Sequence, residues 1–122
     1  MSVKLLTDYL QQHTLIGIKS GLHRKSFTDI WMVTVEGRFF SRSWNKSHDG
    51  WFGEFLKNGA GQLKLNNIIL NVHVQKIEKD DVVQQKIDLA YLSKYTQPEN
   101  ASYAHGISHP DYHDFTLEFF PE

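Results

Sequence analysis

The chemistry this sequence can offer is concentrated in two groups of cations and two tryptophans. Lys19, His23, Arg24 and Lys25 crowd around Gly21 in the run KSGLHRK, and Arg42, Ser43, Trp44 and Lys46 precede Gly50 and Trp51. Residues 37–59, GRFFSRSWNKSHDGWFGEFLKNG, change character twice: an alternating strand to Trp44, a cationic polar loop from Asn45 to Asp49, then an amphipathic helix opening near Gly50. Where a strand ends and a helix begins, free backbone amides converge and the helix dipole adds partial positive charge, an arrangement suited to an anion. Cations and amides suit a phosphate, and an indole face suits a flat conjugated ring. Lys19, Arg24, Arg42, Ser43, Trp44, Lys46, Gly50 and Trp51 are therefore the candidate binding residues, and a phosphorylated aromatic cofactor meets both requirements. The plainer alternatives are a solvated hairpin tip for the first cation group and core packing for each tryptophan.

Other chemistries find less support. His105, His109 and His113 are spaced by four, which on one helix would align three imidazoles for a metal, but Gly106 and Pro110 interrupt that helix. No carboxylate-plus-histidine motif accompanies them, so they are read as surface groups or as contacts of a cofactor or partner. Ser41, Ser43 and Ser47 lack a G-x-S-x-G elbow, and neither G-x-x-x-x-G-K-[ST] nor G-x-G-x-x-G occurs. Asp80 and Asp81 open a helix, where its dipole accounts for them.

The elements that must position these groups are those of one small domain, residues 1–122, long enough for a single core. With 40% hydrophobic and 22% charged residues the chain should be globular, and a net charge of −1 gives no basic surface for nucleic acid. The absence of cysteine excludes thiolate chemistry and fits a reducing cytosol. No apolar run approaches the ~20 residues that cross a bilayer, so a cytoplasmic protein without a membrane partner is expected.

Leu5, Leu6, Tyr9 and Leu10 have the spacing of a short helix across a barrel end. Period two then begins at His13 and breaks at Ser20-Gly21. In residues 29–35, DIWMVTV, both faces are apolar, with Ile30 and Met32 on one and Trp31, Val33 and Val35 on the other. A strand covered on both sides belongs in a closed or double-layered sheet. Glu36-Gly37 turns into a third strand with Phe40, Arg42 and Trp44 on one face. Antiparallel hairpins would bring both cation groups to the same end of the sheet. Ser47 or Asp49 can cap the next helix, which Asn58-Gly59 ends. A hairpin over Asn66-Asn67 follows, then a helix over residues 80–95 with Val83, Ile87, Tyr91 and Tyr95 on one stripe, expected to cover a barrel mouth. Residues 96–114 are expected to be an irregular loop before a last strand over residues 115–119.

The run GIKSGLHRKSFTDIWMVTVEGRFFSRSW, followed by DGWFGEFLKNG, resembles the split β-barrel proteins of the flavin and deazaflavin reductase type. In particular it is similar to an uncharacterised bacterial branch related to the deazaflavin-dependent nitroreductases. Lys19, Ser20, Gly21 and Arg24 match that family's K/R-S-G-x-x-R hairpin, Gly37 its following turn, and Trp51 the tryptophan that opens the next helix. The resemblance spans about residues 14–77. It implies a mainly β fold, an FMN-binding split β-barrel with short helices over its ends, often a homodimer. It also implies FMN or a deazaflavin as cofactor, held by Arg42, Ser43, Trp44, Lys46 and Trp51, and an oxidoreductase or nitroreductase-like activity. The alternative is a non-enzymatic split-barrel module that binds a small anion or a protein partner. Two departures stand out. Gly53 and Glu54 replace the W-x-x-N-L helix pattern, and Asp49 puts a carboxylate where a phosphate would sit.

Overall fold

Seven strands form one antiparallel sheet whose two edge strands are consecutive in the chain. In the computed structural model, which describes residues 2–21 and 24–122, the elements run α1 (Ser2–Gln12), β1 (Ile16–Lys19), β2 (Thr28–Ile30), β3 (Val33–Val35), β4 (Arg38–Arg42), α2 (Trp51–Asn58), β5 (Ala60–Leu65), β6 (Ile68–Lys76), α3 (Val83–Lys94), α4 (Ala101–Ile107), a 3₁₀ helix (Pro110–Phe115) and β7 (Thr116–Pro121). The strand order is β2-β1-β5-β6-β7-β4-β3. His23 of the first cation group lies outside the described residues.

Only Trp31 and Met32 separate β2 from β3. Three peptide steps reach at most about 11 Å, so the sheet must curl until its edges meet. The result is a β-dominated, split-barrel-like fold whose seam is a bend in one stretch of chain.

The two-faced apolar pattern of that stretch is realised as two cores. Ile30 and Met32 point into the barrel with Ile16, Ile18, Phe39, Leu63, Val72 and Phe119, and Leu6, Leu10, Phe52 and Phe55 of α1 and α2 join them. Val33 and Val35 point outward, where Phe40, Val83, Ile87, Tyr91 and Tyr95 form a second core against which Trp31 packs. The stripe on α3 is buried as its spacing predicts. It covers the outer face of β3 and β4 rather than a barrel mouth, because that face is apolar too.

At the seam the backbone of Met32 leaves the strand ladder, and α3 replaces the missing partners. The Met32 amide donates to the Tyr95 hydroxyl at 3.2 Å, and its carbonyl accepts from Lys94 Nζ at 2.8 Å. Tyr95 in turn donates to the Thr14 carbonyl at 2.7 Å, and burial raises its phenol above the usual range. Tyr95→Phe removes an acceptor from one buried group and a donor from another, and is expected to cost about 2 kcal/mol. A lower urea midpoint with an unchanged slope is the expected readout; an unchanged midpoint would mean that the seam holds without this hydroxyl.

The stretch 96–114 differs from the irregular loop expected of it. Asn100 precedes α4, which runs through Gly106, and Pro110 opens the 3₁₀ helix. Proline lacks only an amide that the first turn leaves unpaired, so it starts this element instead of breaking one. Among the described residues no helix is long and apolar enough to cross a membrane.

Candidate functional site

All three tryptophans of the chain line one cleft of about 330 Å³. It lies between β2, the β4–α2 connection and α4, with Leu15, Ile30 and Ile107 adding aliphatic surface and Tyr103 a fourth ring. Each indole is held differently. Trp31 stacks on Tyr95 with centroids 3.8 Å apart and planes 7° apart, and its carbonyl accepts from Ser41 Oγ. Trp44 lies parallel to Tyr112 at 5.6 Å and meets Tyr103 edge-on, while Tyr112 donates to the Trp44 carbonyl at 2.7 Å. Trp51 packs edge-on against Phe52 and Phe55, at the first position of α2.

Gly106 lets Trp44 pack closely. A Cβ at that position would stand 2.9 Å from Trp44 Cη2, so the indole lies directly against the bare backbone of α4. Trp44 nevertheless remains 44% exposed where it lines the cleft.

The polar side chains that line this cleft are those of Thr28, Asp29, Arg42, Ser43, Asn45, Ser47 and Tyr103. Ser43 is only 4% exposed, yet among the described residues its Oγ makes no hydrogen bond. Because no described buried side-chain polar atom lacks a partner, that hydroxyl reaches the open cleft and is free to bond a ligand. Gly50 is the N-cap of α2 and provides no side-chain cap. Ser47 and Asp49, the expected caps, pair with each other instead: Ser47 Oγ accepts the Asp49 amide at 3.0 Å. Asp49 is exposed and does not line the cleft, so its carboxylate does not stand in the way of a ligand there.

The cations are arranged differently from the expectation. Arg42 borders the cleft, but its side chain is wholly buried and all five N–H donors are engaged. Nε donates to Thr116 Oγ1, Nη1 to Asp88 and to the Ile107 carbonyl, and Nη2 to the carbonyl and the side-chain oxygen of Gln84. It has no donor left for a phosphate and serves to pin α3 and α4 to β4. The Tyr91 hydroxyl accepts the Arg42 amide, and burial pushes this phenol up to about 12. Lys46 turns away from the cleft, 3.7 Å from the Asp111 carboxylate and 4.8 Å above the Tyr112 ring. Lys19 and Arg24 line a small recess on the far side of Trp51, where Arg24 stands 3.8 Å from Glu54. Trp51 and Thr28 border both spaces, so the cleft and the first cation group share a wall.

The histidines do not converge. His105 is in α4, His109 Nδ1 accepts the Asp111 amide, and His113 Nε2 is 3.1 Å from Asp88 Oδ1, on the outer side of the Arg42 ion pair. Among the described residues no group of three potential ligands is placed to hold a metal ion. Trp31 and Tyr103 are the aromatic residues of the cleft that are missing from the candidate set; Asp29, Thr28, Asn45 and Ser47 are polar lining residues also outside it. The alternation of residues 29–35 puts Trp31 on the outer face, but nothing local to it indicates that α4 would leave a cleft beside it.

Comparison with known proteins places the chain in a family. A family model described as an uncharacterized protein conserved in bacteria, DUF2255, matches residues 15–119, and the chain belongs to that family. Among solved structures it is similar to the crystal structure of conserved hypothetical protein Rv2991 from Mycobacterium tuberculosis. The TM-score is 0.58 at 10% identity, covering 98% of this chain and 78% of the other, a likeness of fold alone. No curated protein matches.

Proposed function

We propose that this member of the DUF2255 family binds a flat conjugated ligand of the flavin type, FMN or a deazaflavin, in the tryptophan cleft. The observation that carries this reading is the gathering of Trp31, Trp44 and Trp51 around one space in which Trp44 remains exposed. Aromatic faces stack on conjugated rings with little regard to ring substituents. The free Ser43 hydroxyl and the uncapped amides of α2 can bond polar atoms at the ring edge, and a ligand phosphate would be drawn toward Lys19 and Arg24 beyond Trp51 rather than to Arg42.

A bound flavin-type cofactor supplies hydride transfer. The chain's own part is to orient the ring and exclude water from one of its faces. Asp29, Arg42 and Tyr103 are the ionisable side chains among the lining residues, and Arg42 is fully engaged. They make no nucleophile-base pair, so any redox chemistry would reside in the bound molecule. The same observation supports the second reading, a binding module that performs no reaction. Consumption of a reduced pyridine nucleotide by the FMN-loaded protein, with a nitroaromatic acceptor, favours the first; saturable binding without turnover favours the second.

Trp44→Ala removes the exposed indole and is expected to weaken FMN binding by about tenfold, or about 1.4 kcal/mol. Titration followed by quenching of flavin fluorescence checks this. Equal affinity in the variant would place the ring elsewhere.

A further inference from the structure

A second cavity, on the opposite side of α3 from Arg42's partners and not shared with the tryptophan cleft, surrounds an amine that the reading above does not use. It has a volume of about 470 Å³ and is lined by Lys94 together with Gln11, Gln12, His13, Thr14 and Ser93. No aspartate or glutamate lines it, and among the described residues Lys94 has no carboxylate partner. Its Nζ is fixed instead by the bond to the Met32 carbonyl at the barrel seam, 5.4 Å from the Tyr95 ring centroid. The titratable groups that face it are His13, from the α1–β1 connection, and Tyr95 beneath it; β3 contributes only Val33 and Thr34.

We propose that Lys94 is an acyl-acceptor lysine, whose amine takes the acyl group of a small acyl phosphate entering this cavity. A neutral amine has two N–H bonds and one lone pair. With one N–H held by the Met32 carbonyl, the lone pair is free to attack the acyl carbon. The C–N bond forms, the C–O bond to phosphate breaks, phosphate leaves with that electron pair, and the nitrogen releases one proton to solvent. The amide product keeps one N–H, so the bond to Met32 survives the reaction. A neutral imine formed with an aldehyde would have no N–H for that carbonyl, whereas the amide keeps one without having to stay protonated. A leaving phosphate meets the His13 imidazole and the hydroxyls of Thr14 and Ser93 here, and no carboxylate.

Burial holds the amine down to about 8, against 10.5 for an ordinary lysine. The neutral share at pH 7.5 is then on the order of a hundredfold larger than that of an ordinary lysine. Lower nucleophilicity and partial burial reduce that advantage without cancelling it.

The test is site-resolved mass spectrometry of the intact wild-type protein treated with acetyl phosphate between pH 7 and 10. Lys94 is expected to be acetylated at least about tenfold faster at pH 7.5 than the exposed Lys57 and Lys79, with a rate that levels off above pH 8 to 9. Acetylation spread evenly over the lysines, or a Lys94 rate still rising steeply at pH 10, would overturn the assignment. Since the readout is on the folded wild-type chain and involves no flavin, its outcome is independent of whether the tryptophan cleft binds a cofactor.

Discussion

Arg42→Ala is expected to lower the unfolding free energy by about 3–5 kcal/mol, the cost of breaking a buried ion pair by removing one partner. The Arg42 side chain is fully buried and that of Asp88 is 22% exposed, so Asp88 recovers some solvation after the loss. The Gln84 carbonyl, Gln84 Oε1, the Ile107 carbonyl and Thr116 Oγ1 lose a donor in surroundings with little room for water. Lysine at this position keeps the charge without the five-donor fork, so Arg42→Lys should recover only part of the loss. Urea unfolding followed by circular dichroism measures both. A loss below about 1 kcal/mol would show that the network is held by its other members. The consequence for function is specific: any weakening of ligand binding in Arg42→Ala should follow the folded fraction, because the guanidinium has nothing left to give a ligand.

Gly53→Ala should also be strongly destabilising, by about 3 kcal/mol. On helix propensity alone the change would stabilise by about 1 kcal/mol, since glycine is a poor interior helix residue. The clash reverses that sign. The carbonyl of His48 lies against the α carbon of Gly53, and an added Cβ would overlap it, with the His48 carbonyl carbon 2.5 Å away. That contact seats the β4–α2 connection on its own helix, and the connection carries Trp44, Asn45, Ser47 and Gly50 into the cleft. A Gly53→Ala protein more stable than the parent in urea would mean that the connection packs elsewhere. A destabilised variant should in addition bind a ring ligand more weakly at equal folded fraction, because Trp44 and Trp51 would no longer face one space.

Gly53 also shows what a sequence can and cannot convey. It is visible as a departure from the resembling family's helix pattern, but the carbonyl that demands it comes from a loop whose path only the fold defines. Local patterns were legible where neighbours in the chain decide the outcome. The apolar residues on both faces of residues 29–35 announced cover on both sides, although the one strand and single core expected there are two strands and two cores, and Asn58-Gly59 announced the end of α2, where Gly59 adopts φ 71°. Patterns decided by distant residues were not. Arg42 has the sequence surroundings of an anion site, beside a polar loop and a helix start, yet Asp88, Gln84 and Thr116 arrive from other elements and take every donor. Gly106 and Pro110 resemble helix breakers, but Gly106 lies inside α4 against the indole of Trp44 and Pro110 sits where a helical turn begins. Lys94 gave no local signal at all, because its burial depends on α1 and on the Met32 bend.

The proposal that the tryptophan cleft accepts a flat conjugated ring is tested most directly by titrating the purified protein with FMN and with riboflavin, following flavin and tryptophan fluorescence together. Saturable quenching of both signals with one flavin per chain is the expected result, with riboflavin retaining most of the affinity because the ring, not the phosphate, meets the tryptophans. Fluorescence that changes with neither compound, or that changes equally in Trp44→Ala, would contradict it.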